Sequence, residues 1–202
     1  DMTVHDELIA RNRTFAADFA SGDLPILPKL RTVIVTCADA RVDPAHVLGL
    51  ALGDAVVIRN NGGRVTRAVV HEIATLAALV SALTGGQEPG FNVVLIQHTQ
   101  CGAQRLADPQ LQAKLLDTHG IDVSEYAITD QESDLVGDIG RLAAAPEVPG
   151  AITVSAMLYD VADGTVREIA AAKSLDVLRA TEAAQRPLPR QIDPPKFQEQ
   201  KK

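Results

Sequence analysis

Apolar and polar positions follow two rhythms along this chain, one of period 3.6 and one of short β-branched runs. Residues 5 to 20 (H-D-E-L-I-A-R-N-R-T-F-A-A-D-F-A) put Leu8, Ile9, Phe15, Ala16 and Phe19 at helical spacing. Gly22, Pro25 and Pro28 then break the pattern. Thr32 to Thr36 is too short and too β-branched for a helix and predicts a buried strand. Pro44 to Leu50 predicts a short helix that starts on its proline, and Ala55 to Ile58 a second strand. R-N-N-G-G-R, residues 59 to 64, is expected as a loop. Thr66 to Leu83 carries the longest helical pattern, with Thr66 as its N-cap. T-G-G-Q-E-P-G ends it, and Val93 to Ile96 predicts a third buried strand. Helices are expected over 103 to 117 and from about Glu132 to Ala145. Ala151 to Val161 and Thr165 to Ile169 flank A-D-G-T, which is a hairpin signal.

Strands that alternate with helices predict an α/β fold. Its centre is a mostly parallel sheet covered by helices, with a late antiparallel hairpin. The chain shows no internal repeat. Residues 184 to 202 are rich in proline and charge and read as an extended or disordered tail. That leaves 1 to 183 as a single domain.

Composition narrows the function. The chain has 202 residues, 46% of them apolar, so a globular core is expected. Aromatics are 3%, tryptophan is absent and the net charge is −7, which argues against a nucleic-acid partner. No apolar run approaches the ~20 residues of a membrane helix. The first ten residues lack the basic and apolar regions of a signal peptide, so a reducing cytoplasm is expected. Asp1 precedes Met2, which leaves an upstream segment open. The two cysteines, Cys37 and Cys101, then read as a metal site or a catalytic thiol rather than a disulfide.

Both cysteines fall at predicted strand ends, where ligands bind in open α/β sheets. V-I-V-T-C-A-D-A-R closes the first strand with Cys37, Asp39 and Arg41, and H-T-Q-C-G follows the third with His98 and Cys101. Two sulfurs and one imidazole suit Zn²⁺, and three protein ligands leave its fourth position open. Such a metal can lower the pKa of a water and supply hydroxide near neutral pH. Asp39 could itself take the fourth position. A bidentate pair with Arg41 would hold it back, ionised, to orient the nucleophile. Each piece alone is weak: a lone cysteine at a strand end is more often a buried apolar residue. The conjunction is what points to a metal. His5, His46, His71 and His119 sit in helical or polar contexts and are not expected as ligands. C-x-x-C and G-x-G-x-x-G are absent, and Asp43 stands where a cysteine phosphatase needs arginine.

The motifs C-A-D-A-R-V-D-P, G-D-A-V-V-I-R-N-N-G-G and H-T-Q-C-G, in this order, resemble the β-class carbonic anhydrase family. The resemblance covers about residues 30 to 105 and the hairpin near residue 160, and is nearest a small mycobacterial-type branch close to carbonyl sulfide hydrolases. It implies Cys37, His98 and Cys101 as zinc ligands and Asp39 with Arg41 as a catalytic dyad. It also implies a homodimer or a higher even oligomer such as a homotetramer, the N-terminal helix packing on the partner subunit. Ala51 stands where plant-type members have a substrate-holding glutamine, Ile34 where a bicarbonate-inhibited type has tryptophan, and Asn61 where alanine is commoner.

The expected activity is reversible hydration of CO₂ to bicarbonate, with backbone N–H groups near Gly62 and Gly63 holding product oxygens. Two thiolates offset the zinc charge, so the rate is expected to rise above neutral pH. Two alternatives stand beside it. One is hydrolysis of carbonyl sulfide or carbon disulfide at the same zinc. The other is a non-catalytic structural zinc site closed by Asp39.

Overall fold

A computed structural model of the chain describes residues 2–87 and 90–185. Five strands form one sheet: β1 (Thr32–Cys37), β2 (Val56–Asn60), β3 (Asn92–His98), β4 (Thr153–Tyr159) and β5 (Val166–Ser174). Their order is β2-β1-β3-β4-β5. The first four are parallel, and β5 returns antiparallel to β4. This is the expected fold class. Val33, Val35, Val93 and Leu95 are buried against helices, as runs of β-branched and aliphatic residues in parallel strands must be.

The core lies between this sheet, α3 (Arg67–Leu83) and α5 (Gln131–Ala144). Thr66 caps α3 by accepting from Val69 N–H, as the sequence predicts. Ile73 and Ala77 of α3 and Leu135 and Leu142 of α5 fill the space over the strands. The hairpin turn is as expected: Asp160 N–H donates to Thr165 O, and Gly164 takes φ +78.

Several boundaries differ from the sequence expectation. Arg59 and Asn60 belong to β2 rather than to a loop, and His98 is the last residue of β3. The helix expected over 103 to 117 is two pieces, a 3₁₀ segment over Gly102–Ala107 and α4 (Pro109–His119). Pro109 lacks an N–H, and the residue before a proline is pushed out of helical space. Asp108 instead caps α4 by accepting from Gln110 N–H at 2.9 Å. β5 runs on to Ser174, because pairing with β4 overrides the weak strand preference of its alanines. α6 (Leu175–Gln185) follows directly and is absent from the sequence expectation. Ala184 and Gln185 end α6, and the rest of the expected tail lies outside the described residues.

Near the start of the chain, α1 (Val4–Ala17) opens on a capping box. Thr3 and Asp6 bond each other reciprocally. It ends three residues before the expected limit and buries none of its residues. α2 (Pro44–Val47) is one turn capped by Asp43. Among the described residues no helix is long and apolar enough to cross a membrane.

The strand order places the functional site. From β1 the chain crosses to β2 on one side, whereas β3 lies on the other side of β1. The crevice at the carboxyl ends of β1 and β3 is therefore the topological switch point. Cys37 ends β1 and His98 ends β3.

Candidate metal centre

Cys37, His98 and Cys101 meet at that crevice, with one ligand atom of each within 4.8 Å of the others. The two sulfurs are 3.8 Å apart and belong to free thiols. His98 is only 1% exposed. Its Nδ1 lies 2.8 Å from Thr99 O, which assigns the proton to Nδ1 and leaves a lone pair on Nε2. That Nε2 is buried and has no hydrogen-bond partner among the described residues.

A buried acceptor without a partner is costly, and here it faces two sulfurs. The sulfurs repeat the problem. Cys101 donating toward Cys37 draws the Cys37 thiol well below its ordinary value, helped by the N–H groups of Asp39 and Gly62. The hydrogen bond to Cys37, then burial, push Cys101 up. A soft divalent cation would accept all three lone pairs and let both thiols ionise. The residues present therefore fit zinc.

Asp39 stands beside this trio, its Oδ2 3.8 Å from His98 Nε2. Arg41 holds it there: Nε donates to Oδ1 at 3.0 Å, Nη2 to Oδ2 at 2.7 Å, and Arg41 N–H to Oδ1 at 2.9 Å. The Arg41 guanidinium, then its N–H, hold the Asp39 carboxyl well below the usual carboxylate range. Arg41 Nη2 also donates to Gln100 O, in the turn between His98 and Cys101, where Gln100 takes φ +54. One guanidinium thus ties the ends of β1 and β3 together.

Gly62 lines the cleft above Cys37, and its N–H is directed at Cys37 Sγ. Gly63 is not among the lining residues. It is packed beneath, against Cys37 N and Ile96 O. The cleft has a volume of about 370 Å³, and Ala38, Ala103 and Leu106 give it apolar walls. His5, His46, His71 and His119 are all exposed, and none joins a cluster of metal-binding groups among the described residues.

Two supports were not foreseen from sequence. Arg59 reaches from β2 to Cys37 O at 3.0 Å, Asp39 O at 2.7 Å and Asp43 Oδ2 at 3.2 Å, and so pins the segment after β1. Arg64 forms a two-pronged pair with Asp138 of α5, Nε to Oδ2 at 2.9 Å and Nη2 to Oδ1 at 3.1 Å. Its Nη1 donates to Ala127 O. Asp138 is wholly buried and also accepts from Val65 N–H. The pair locks the loop over Gly62 and Gly63 to α5. A carboxylate on the inward stripe Leu135-Asp138-Leu142 was a legible sign that a buried cation must face it.

An open parallel sheet with a buried thiol–imidazole–thiol trio and a clamped carboxylate at its switch point defines an α/β protein with a candidate metal site. The profile described as carbonic anhydrase matches residues 32–134. Beta-carbonic anhydrase 1 of Mycobacterium tuberculosis is 32% identical over 170 residues, 83% of this chain and 99% of that protein. The crystal structure of a carbonic anhydrase from Streptococcus mutans superposes with a TM-score of 0.69 at 35% identity, over 84% of this chain and 99% of that one. A carbon disulfide hydrolase of Saccharolobus solfataricus is 32% identical over 124 residues, 61% of this chain and 54% of that protein. The chain belongs to the carbonic anhydrase family, in its β class.

Proposed function

We propose that this chain catalyses the reversible hydration of CO₂ to bicarbonate with a zinc ion held by Cys37, His98 and Cys101. The observation that carries the proposal is the buried, unpartnered Nε2 of His98, aimed between two sulfurs and beside a carboxylate that arginine holds off. Zinc, when bound, lowers the pKa of a water and so supplies the nucleophile near neutral pH. The chain does the rest. Thr99 O fixes the tautomer that presents His98 Nε2. Asp39, kept ionised by Arg41, accepts the proton side of the nucleophile and turns its lone pair toward carbon. Ala38, Ala103 and Leu106 give the apolar substrate a dry wall. Of the two glycines expected at the product oxygens, Gly62 is the one that lines the cleft.

The test is zinc stoichiometry together with stopped-flow hydration of CO₂ at about pH 7 and about pH 8.5. One zinc per chain is expected, with hydration that is faster at the higher pH and disappears on chelation. A chain that binds no zinc, or binds it and hydrates no CO₂ at either pH, would refute the proposal.

Carbonyl sulfide or carbon disulfide hydrolysis is the second reading, favoured by the relative named carbon disulfide hydrolase. Both substrates are linear and apolar, as CO₂ is, and suit the same cleft. Sulfide release from either compound, faster than hydration of CO₂, would move the assignment.

We also propose that the protein works as a dimer or a higher even oligomer, α1 of one copy packing on another. α1 leaves Leu8 at 60% and Phe15 at 56% exposure, Phe19 just past its end is 49% exposed, and a lone helix of 14 residues is marginal in water. The same chain carries an apolar groove of about 440 Å³ lined by Ile26, Leu27, Val56, Leu79, Leu83 and Phe91. Deleting residues 2 to 19 is expected to shift the mass in light scattering from an even oligomer to a smaller species. An unchanged mass would remove α1 from the interface. Free thiols at the centre suit a reducing cytoplasm, which is the proposed location.

A further inference from the structure

We propose that Asn61 is a substrate-contacting residue whose carboxamide donates a hydrogen bond to an oxygen of bicarbonate in the metal-centre cleft. The inference rests on the carbonic anhydrase reading above and names a further group in that site.

Two asparagines follow each other at the end of β2, and the fold uses them differently. Asn60 is paired with Cys37 across the sheet. Its carboxamide is fully engaged, Nδ2 donating to Arg64 O at 2.8 Å and Oδ1 accepting from Arg64 N–H at 2.9 Å. It closes the loop. Asn61 is exposed, lines the cleft, and makes no side-chain hydrogen bond among the described residues. The other lining residues leave it alone in this role. Cys37 belongs to the metal centre, Asp39 is a carboxylate paired with Arg41 and has no N–H to donate, and the remainder are alanine, glycine or leucine. Among the described residues that line the cleft, Asn61 is thus the one neutral side chain outside the metal centre that can donate, and it stands next to Gly62.

The two sides of the reaction differ in what they ask of such a donor. CO₂ is apolar and accepts weakly. Bicarbonate spreads a full negative charge over its oxygens and gains from an amide N–H. The transition state already carries that charge, so the bond is made both in bound bicarbonate and on the way to it. Losing it then raises KM for bicarbonate and leaves kcat for dehydration little changed, the pattern of uniform binding. The equilibrium constant ties the two directions, so kcat/KM for hydration falls by the same factor.

The experiment compares the zinc-loaded wild type with Asn61→Ala and Asn61→Asp, by calorimetric titration of bicarbonate, dehydration kinetics, zinc content and thermal melting. Asn61→Ala is expected to weaken bicarbonate binding and raise its KM about tenfold, the size of one hydrogen bond to a charged partner. Zinc content and Tm should hold. Asn61→Asp removes the donor and adds a like charge, so it should weaken binding further than alanine does. A merely structural asparagine would move Tm and leave the affinity order of the two variants flat. Unchanged bicarbonate affinity in both variants overturns the assignment even where the wild type hydrates CO₂. A wild type that hydrates no CO₂ overturns the reading beneath it, and does so before any variant is made.

Discussion

Asp39→Ala is expected to keep one zinc per chain and to lower the turnover of CO₂ hydration about a hundredfold to a thousandfold, the usual weight of a positioned proton acceptor. The expectation follows from where the carboxylate is held. Both of its oxygens accept from Arg41, and Oδ2 still lies 3.8 Å from His98 Nε2. It is near enough to serve the centre and is restrained from joining it. If Asp39 were instead the permanent fourth ligand of a structural site, the same substitution would strip the zinc. Metal analysis on the variant separates the two roles, and zinc loss on mutation would sink the catalytic one.

Arg41→Ala probes the restraint from the other side. Without the guanidinium Asp39 is free to swing to the metal, so hydration should fall although every ligand and the carboxylate remain. Because the two residues act as a unit, the double variant should be no worse than Asp39→Ala alone. Independent, multiplying losses would mean that Arg41 does something other than hold Asp39. Its bond to Gln100 O, which braces the turn between His98 and Cys101, is the obvious candidate.

Groups legible in the sequence are those whose signal is local. A β-branched run that ends at a cysteine, and another that ends at Ile96 just before a histidine and a second cysteine, mark strand ends to within two residues without any knowledge of the partner strand. The D-A-R spacing is likewise local, since Arg41 N–H and side chain return to Asp39 two residues away. Arg59 is different in kind. Its acceptors lie 16 to 22 residues earlier and are found only when β2 pairs alongside β1. Arg64 and Asp138 are separated by 74 residues, and only the packing of α5 on the sheet joins them. Two misses had local signals. Asp108-Pro109 is a boundary pair. Ser174 before Leu175 is an N-cap, and it accepts from Val177 N–H at 3.3 Å at the start of α6.

Gly63→Ala is expected to cost about 4 kcal/mol, enough to prevent folding of a marginal chain, from backbone strain and overpacking together. Gly63 takes φ +64, which an alanine adopts only with strain. A Cβ there would also lie 2.8 Å from Cys37 N, 2.9 Å from Thr36 C and 3.0 Å from Ile96 O. All three are backbone atoms of the central strands β1 and β3, so no flexible side chain can move aside. Gly49 has the same φ of +64 with nothing within 4 Å of its would-be Cβ. Gly49→Ala should therefore cost only the strain, about 1 kcal/mol. Gly137 is an exposed glycine inside α5, also with open space, and Gly137→Ala should stabilise by up to about 1 kcal/mol. Denaturant midpoints for the three variants at one protein concentration read this order directly. Equal losses at positions 49 and 63 would mean that the loop does not sit against β1 as described. In that case Gly62 could not face Cys37 either, and the wall of the metal centre would have to be redrawn. If the order holds, the close approach of this loop to the two strand ends is the feature that sets the depth of the cleft, and glycine is the residue that permits it.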